Sequence, residues 1–490
     1  MLSQSKSKKP EVAISKADTP KESLKKGIEI LGGISKFIDE GDQVFIKFNL
    51  NLPAGFPNNT NFDVLEELIN LCKQAGAKKI YLGSFPLKGI PIKIISDLFN
   101  LKAYFKNLGA ELAFLDNSDN FDSKDIKQAL LKKIKYDSLT RVEINGINFF
   151  VPNVVFNSNK LLSVNQVNVN PLFKLDLSIL NSYSIVPTKY RKIGKKRNKD
   201  NHYINRDIYK TDLISNIFDI YKIKHPNLVI NDLFYILEGA GPYTYEDSNL
   251  KKSGLMIMGD DAFNVDFITL NVLNLAESSH DLLKEAESKN LTSLELSNIR
   301  VLGEKLEDVT FDIELCSLKL EDIKVKNFAI HGGKYCSGCF KQAYHLLNFM
   351  KTYMVKDLKY NPKNSFLIGK NPSEPKNTGN ILLFGDCAIN STKTSNFRKI
   401  IIEPKKNLIS GTKNKILKQS KSKKEKKIKE KPNKKILELL GCPPGIIGCL
   451  KSILNYFGKK NLPNLTLHAN INNEWVEGEL NNKLKIWEAL

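Results

Sequence analysis

Apolar residues recur along this chain at two spacings, which divide much of it into helices and strands. Thr19-Pro20-Lys21-Glu22 sets a hydroxyl cap, a proline at the first helical position and a glutamate three places beyond the cap. Leu24, Ile28 and Leu31 then mark one side of a helix that Gly32-Gly33 ends. Val44 to Leu50, rich in β-branched and aromatic residues, predicts a strand. Val64, Leu65, Leu68, Leu71 and Cys72 return at helical spacing up to Gly76, and Ile80-Tyr81-Leu82-Gly83 opens another strand. A strand, a helix and a strand in that order imply parallel pairing through a right-handed crossover.

The same reading continues with strands at Leu161 to Val164 and Gly254 to Met258 and a helix over Val265 to Leu275. Beyond them, Val325 to His331, Ile381 to Phe384 and Lys435 to Leu440 read as strands, with helices after Cys339 and from Ile446 to Phe457. The expected fold class is α/β, with mostly parallel sheets, flanking helices and two domains. The expected layout is a disordered tail over residues 1–18, an α/β domain over 19–310 and a cysteine-rich α/β module over 325–490. A lysine-rich insertion at 405–435 interrupts the second domain.

Length agrees with this division: 490 residues exceed what one hydrophobic core serves. The net charge of +21 suggests an anionic partner at first, but it is concentrated in short segments. Residues 405–435 hold fourteen lysines against two glutamates, residues 189–199 hold seven Lys and Arg and no acid, and the first 26 residues hold seven lysines against three acids, which leaves the rest of the chain slightly acidic. These read as solvated tails and loops, which argues against a nucleic-acid groove. No apolar run is long enough to cross a membrane, and the first residues lack the apolar stretch of a signal peptide, so a cytoplasmic protein is expected.

Seven cysteines suit no secreted disulfide framework, which turns attention to metal or redox chemistry. Cys72 lies on an apolar helix face, Cys316 in a strand-like alternation and Cys449 on an inward helix face, and all three read as packed thiols. The other four stand apart in Cys336-Ser337-Gly338-Cys339, Gly385-Asp386-Cys387-Ala388 and Gly441-Cys442-Pro443-Pro444. Each group follows a strand, where an α/β sheet gathers a site, and helices follow the first and last groups. The adjacent glycines allow close approach of a bulky inorganic centre. Such a set suits a 4Fe-4S cluster or a structural zinc, with a dithiol pair or inert thiols as further readings, and spacing alone does not choose. His331 is close enough to the first pair to support a ligand, His345 is expected to be partly exposed, and His202 reads as part of a solvated basic loop.

Phrases between residues 40 and 303 resemble the domain of unknown function 362 family: Lys47-Phe48-Asn49-Leu50, Gly76-Ala77-Lys78, Asp232 with Glu238-Gly239-Ala240-Gly241-Pro242, and Asp261-Ala262-Phe263-Asn264-Val265-Asp266 within its longer segment. Members of that family often occur with iron-sulfur modules. Lys47, Asn49, Asp232, Glu238, Asp261 and Asp266 are candidate catalytic or cation-binding residues, provided they converge at the C-terminal edge of the sheet. As loop caps and turn formers they would instead serve the fold. The cysteine phrases, in their order, resemble the proximal 4Fe-4S site of the nickel-iron hydrogenase small subunit and the related cluster subunit of NADH:quinone oxidoreductase (complex I). That resemblance implies Cys336, Cys339, Cys387 and Cys442 as ligands. It further implies an iron-sulfur protein, an oxidoreductase component that exchanges single electrons with a redox partner or small-molecule substrate; the alternative is a binding or assembly protein with structural zinc.

Overall fold

The structure is a computed structural model, and it describes residues 9–87, 90–121, 135–136, 138–191, 208–354, 363–376, 379–399 and 436–456. The lysine-rich insertion, His202 and the basic residues 192–199 lie outside the described residues.

Sixteen strands form three sheets among the described residues. The largest contains β1 (Glu11–Lys16), β2 (Gln43–Lys47), β3 (Lys79–Gly83), β4 (Glu111–Leu112), β7 (Lys160–Asn170), β8 (Lys174–Asp176), β9 (Leu228–Gly239), β10 (Ser248–Lys252), β11 (Leu255–Gly259) and β12 (Arg300–Gly303). A hairpin of β5 (Leu139–Ile144) and β6 (Ile147–Pro152) stands beside it. β4, β3, β2, β7 and β9 run parallel, as the strand-helix-strand pattern requires, whereas β11 runs antiparallel to both β9 and β1. The fold is thus α/β, with most of its pairing parallel.

Both faces of this sheet are covered, so its strands carry apolar residues on both sides. In β11, Leu255 and Ile257 enter one core while Met256 and Met258 enter the other. β1 shows the same division and corrects the expected tail: Val12 and Ile14 point one way, Ala13 the other, and all are buried.

The second sheet is the four-stranded parallel array β13 (Phe328–Gly332), β14 (Asn364–Ile368), β15 (Asn380–Phe384) and β16 (Ile436–Leu439), in that order. The helix Ser337–Tyr353 docks this module onto the larger sheet. Tyr353 donates to the Thr244 carbonyl at 2.7 Å, and the Glu246 N–H donates to Thr352 Oγ1 at 2.9 Å. Gly338 packs so closely on Tyr209 that a Cβ would lie 2.7 Å from its ring. One apolar core runs unbroken from β1 through this helix to Ile453.

Candidate functional site

Three parallel strands deliver the cysteines to the same edge of the four-stranded sheet. β13 leads to Cys336 and Cys339, β15 to Cys387 and β16 to Cys442. Cys336 caps the helix Ser337–Tyr353, where the N-terminal end of the helix dipole favours a thiolate. The structure brings the four thiols together as two hydrogen-bonded pairs, Cys336 with Cys339 and Cys387 with Cys442. The hydrogen bond to Cys336, then burial, then the charges of all three neighbours hold the Cys339 thiol well above its usual pKa. Cys387 is raised likewise, first by its bond to Cys442. As thiols these groups suppress one another's ionisation, and bound cations would reverse that balance. Among the described residues no group of three or more His, Cys, Asp or Glu side chains is placed so that it could hold a metal ion. The mutual field of the thiols nevertheless marks them as neighbours.

Hydrogen bonds join two of the cysteine loops. The Asp386 N–H donates to the Gly441 carbonyl at 3.0 Å, and the Gly441 N–H donates to Asp386 Oδ1 at 2.8 Å, so the loops bearing Cys387 and Cys442 are tied reciprocally. At Gly385, with φ +86°, a Cβ would project to 3.5 Å from Cys339 Sγ. The missing side chain therefore leaves room beside that thiol. Cys72, Cys316 and Cys449 are buried as well, and none of them is among the groups that raise Cys339 or Cys387. Cys316 lies in an extended segment outside any strand, its thiol 4.0 Å from the Gly241 carbonyl. His331 contacts Ser373 Oγ at 3.2 Å on the outer side.

A cleft opens between the cysteine loops and the large sheet. Cys442, Pro443 and Pro444 form one wall, and Asn49 after β2, Asn165 and Asn170 of β7, Asp176 at the end of β8 and Asn181 of the helix Ser178–Ser182 form another. The C-terminal ends of parallel strands are where α/β sheets bind ligands. Lys341 and His345 reach it from the helix Ser337–Tyr353, and Arg191 from the loop after Tyr183. Asn170 Nδ2 donates to Asp176 Oδ1 at 2.7 Å, and burial pushes the Asp176 carboxyl up to about 6. Lys47 is buried and donates to Asn181 Oδ1 at 2.6 Å; burial, assisted by the Arg191 charge, lowers its pKa well below the usual lysine value.

The six candidate residues from the sequence separate here. Asn49 lines the cleft and Lys47 lies directly behind it. Asp266 instead accepts from the Ser178 and Ile179 N–H groups at 2.9 and 3.0 Å, from Ser178 Oγ at 2.5 Å and from Asn231 Nδ2 at 2.9 Å. It thereby caps the helix Ser178–Ser182. Glu238 accepts from Asn249 Nδ2 and from the Glu314 N–H, which fastens the segment before Cys316. Asp261 caps the helix Ala262–Val272 through the Asn264 N–H at 2.9 Å. It lies at the opposite edge of the sheet, because β11 runs antiparallel and its Gly259 faces Val229 at the start of β9. Asp232 is buried within β9 with Oδ2 unpartnered, and burial raises its pKa to about 7. The expected convergence of all six thus does not occur.

Sequence reasoning missed Arg191, Lys341, Asp176 and His345. The chain around Arg191 reads as a solvated basic loop, yet its Nε donates to the Val186 carbonyl at 2.6 Å and its guanidinium stacks 4.7 Å from the Tyr183 ring. His345 is buried, 3.0 Å from the Tyr245 hydroxyl, and burial pushes its pKa down to about 3, so it is neutral at physiological pH. Its expected exposure is corrected because the helix Ser337–Tyr353 is enclosed on several sides.

Among the described residues no helix is long and apolar enough to cross a membrane. A search of the curated proteins gives no match. Among solved structures, the chain is similar to the lactate racemase apoprotein from Thermoanaerobacterium thermosaccharolyticum, at 10% identity and a TM-score of 0.29. That similarity covers 53% of this chain and 57% of the racemase chain. The sequence model of the Domain of unknown function (DUF362) family matches residues 44–271, from β2 to the helix Ala262–Val272 that Asp261 caps. That matched stretch, just under half of the chain, supplies the large-sheet wall of the cleft.

Proposed function

We propose that Cys336, Cys339, Cys387 and Cys442 hold one 4Fe-4S cluster and that the protein passes single electrons between a partner and a molecule seated in the cleft. The observation that carries this reading is the meeting of four thiols from three distant stretches at one sheet edge, with Cys442 also lining the cleft. A cluster bound there supplies one-electron oxidation and reduction at a potential set by its surroundings. Four cysteine ligands occupy every protein-facing position, which favours electron transfer over chemistry at an open metal site.

The chain's own residues have distinct parts in this arrangement. The paired Asp386 and Gly441 hydrogen bonds fix the two outer loops, and the Gly385 space accepts inorganic bulk. Cys336 and Cys339 are buried while Cys387 and Cys442 are half-buried, so the outer side is open to a partner. Asp176 and Lys341 stand at the cleft as groups able to hold or move a proton.

The test is the visible and paramagnetic resonance spectrum of protein prepared without oxygen. Broad absorbance near 400 nm that bleaches on reduction, with a low-temperature signal from the reduced protein, is expected of the cluster. A colourless protein that carries zinc would overturn this reading.

A further inference from the structure

Two cationic side chains line the cleft with the buried Lys47 behind them, and the carboxylate nearest them, Asp176, acts on Lys341 and not on Arg191. Arg191 and Lys341 line it, and Lys47 lies directly behind Asn181. Arg191 is close enough to lower the pKa of Lys47 through its charge. Asp176 is the carboxylate in the cleft wall, and Asn170 already donates to one of its oxygens. Lys47 spends its hydrogen bonds on the Phe48 carbonyl and Asn181 Oδ1, both uncharged. Arg191 gives Nε to the Val186 carbonyl, while its Nη2 is buried without a hydrogen-bond partner. Among the described residues none of the three forms an ion pair with a carboxylate. A buried guanidinium with no carboxylate beside it is costly at low dielectric, and a fold retains such a group where an anion completes it.

We infer that the cleft binds a small organic anion, whose carboxylate or phosphate head rests between the Arg191 guanidinium and the Lys341 ammonium. Arginine presents a planar fork suited to two oxygens at once, and lysine adds a point charge. The remaining wall suits an organic body: Phe85, Leu180 and Leu213 are apolar, and Pro443 brings the ligand against the cysteine loop. Arg191 and Lys341 against the Asp176 carboxylate among the described lining residues favour a singly charged head on that anion. The inference goes beyond the cluster reading and stands without it, since these residues line the cleft whatever the thiols hold.

Calorimetric titration of the full chain, at low salt, with succinate and separately with inorganic phosphate tests this site. At least one probe is expected to bind, with affinity that falls as sodium chloride is added. Arg191→Gln and Lys341→Gln should each weaken binding about tenfold or more. Binding of succinate alone assigns a carboxylate head, of phosphate alone a phosphate head, and of both a general oxyanion site; all three support the inference. Failure of both probes to bind the unsubstituted chain would overturn it, as would undiminished affinity in the variants. Thermal melting reports whether each variant is folded, and if one is not, the other decides. Spectra recorded on the same samples keep this result separate from the fate of the cluster proposal.

Discussion

The larger sheet and the C-terminal edge of the smaller one use their polar groups in opposite ways. On the larger sheet, Asp266 and Glu238 are taken up by backbone N–H groups and neighbouring amides, which binds loops and a helix to the strands. On the smaller sheet, the four thiols have one another as neighbours, and the surrounding thiols raise the pKa of Cys339 and Cys387. A buried polar group that satisfies the backbone is part of the fold. A set of like groups that ends several strands and oppose one another is a better sign of a site. The difference also shows why strand direction matters: β13, β15 and β16 all point their cysteines the same way, whereas antiparallel β11 sends Asp261 to the far edge.

The largest expected effect is at the thiols. Cys442→Ser should abolish iron in protein prepared without oxygen, while Cys72→Ser should leave the metal content unchanged; equal losses would erase the contrast between the site and the core. Next, Asp266→Ala removes the acceptor for four hydrogen bonds. It should cost about 3 kcal/mol in chemical denaturation, with cluster absorbance per folded chain unaltered. Gly385→Ala meets a positive φ and should cost about 1–2 kcal/mol. Its methyl also occupies the space beside Cys339 and should lower cluster loading. Gly41→Ala, at the same φ of +86° but with nothing within 4 Å, should share the backbone cost and keep full loading.

The smallest effect concerns Asp232. Burial raises its pKa from 3.8 to about 7, so the folded chain keeps this proton to higher pH than the unfolded chain does. The group therefore costs nothing below the unfolded value, destabilises progressively as pH rises towards 7, and adds no further slope above it. Asp232→Asn should flatten that slope, with a net gain of about 1 kcal/mol at pH 8 once the unpartnered amide is counted. Urea denaturation across pH 4 to 8 checks it, and an unchanged slope would show that Asp232 is solvated.

Local pattern revealed the first crossover and the cysteine loops because their signals lie within a few residues. The Thr19 cap accepts from the Glu22 N–H as expected, and Val64 to Cys72 line the buried side of the helix Phe62–Gln74. β1 was not legible, since its partners lie far along the chain: Val12 pairs with Gly259 and with Val301. Arg191 was obscured by the lysines around it, because counting charges along a chain does not reveal which one turns inward. The roles of Asp261 and Asp266 depended on strand direction and on the position of the helix Ser178–Ser182, and neither is written in their local motifs.

Iron and acid-labile sulfide, measured together on protein purified without oxygen, bear most directly on the central claim. The account predicts about four of each per chain. Zinc in their place, with no sulfide released by acid, would contradict it.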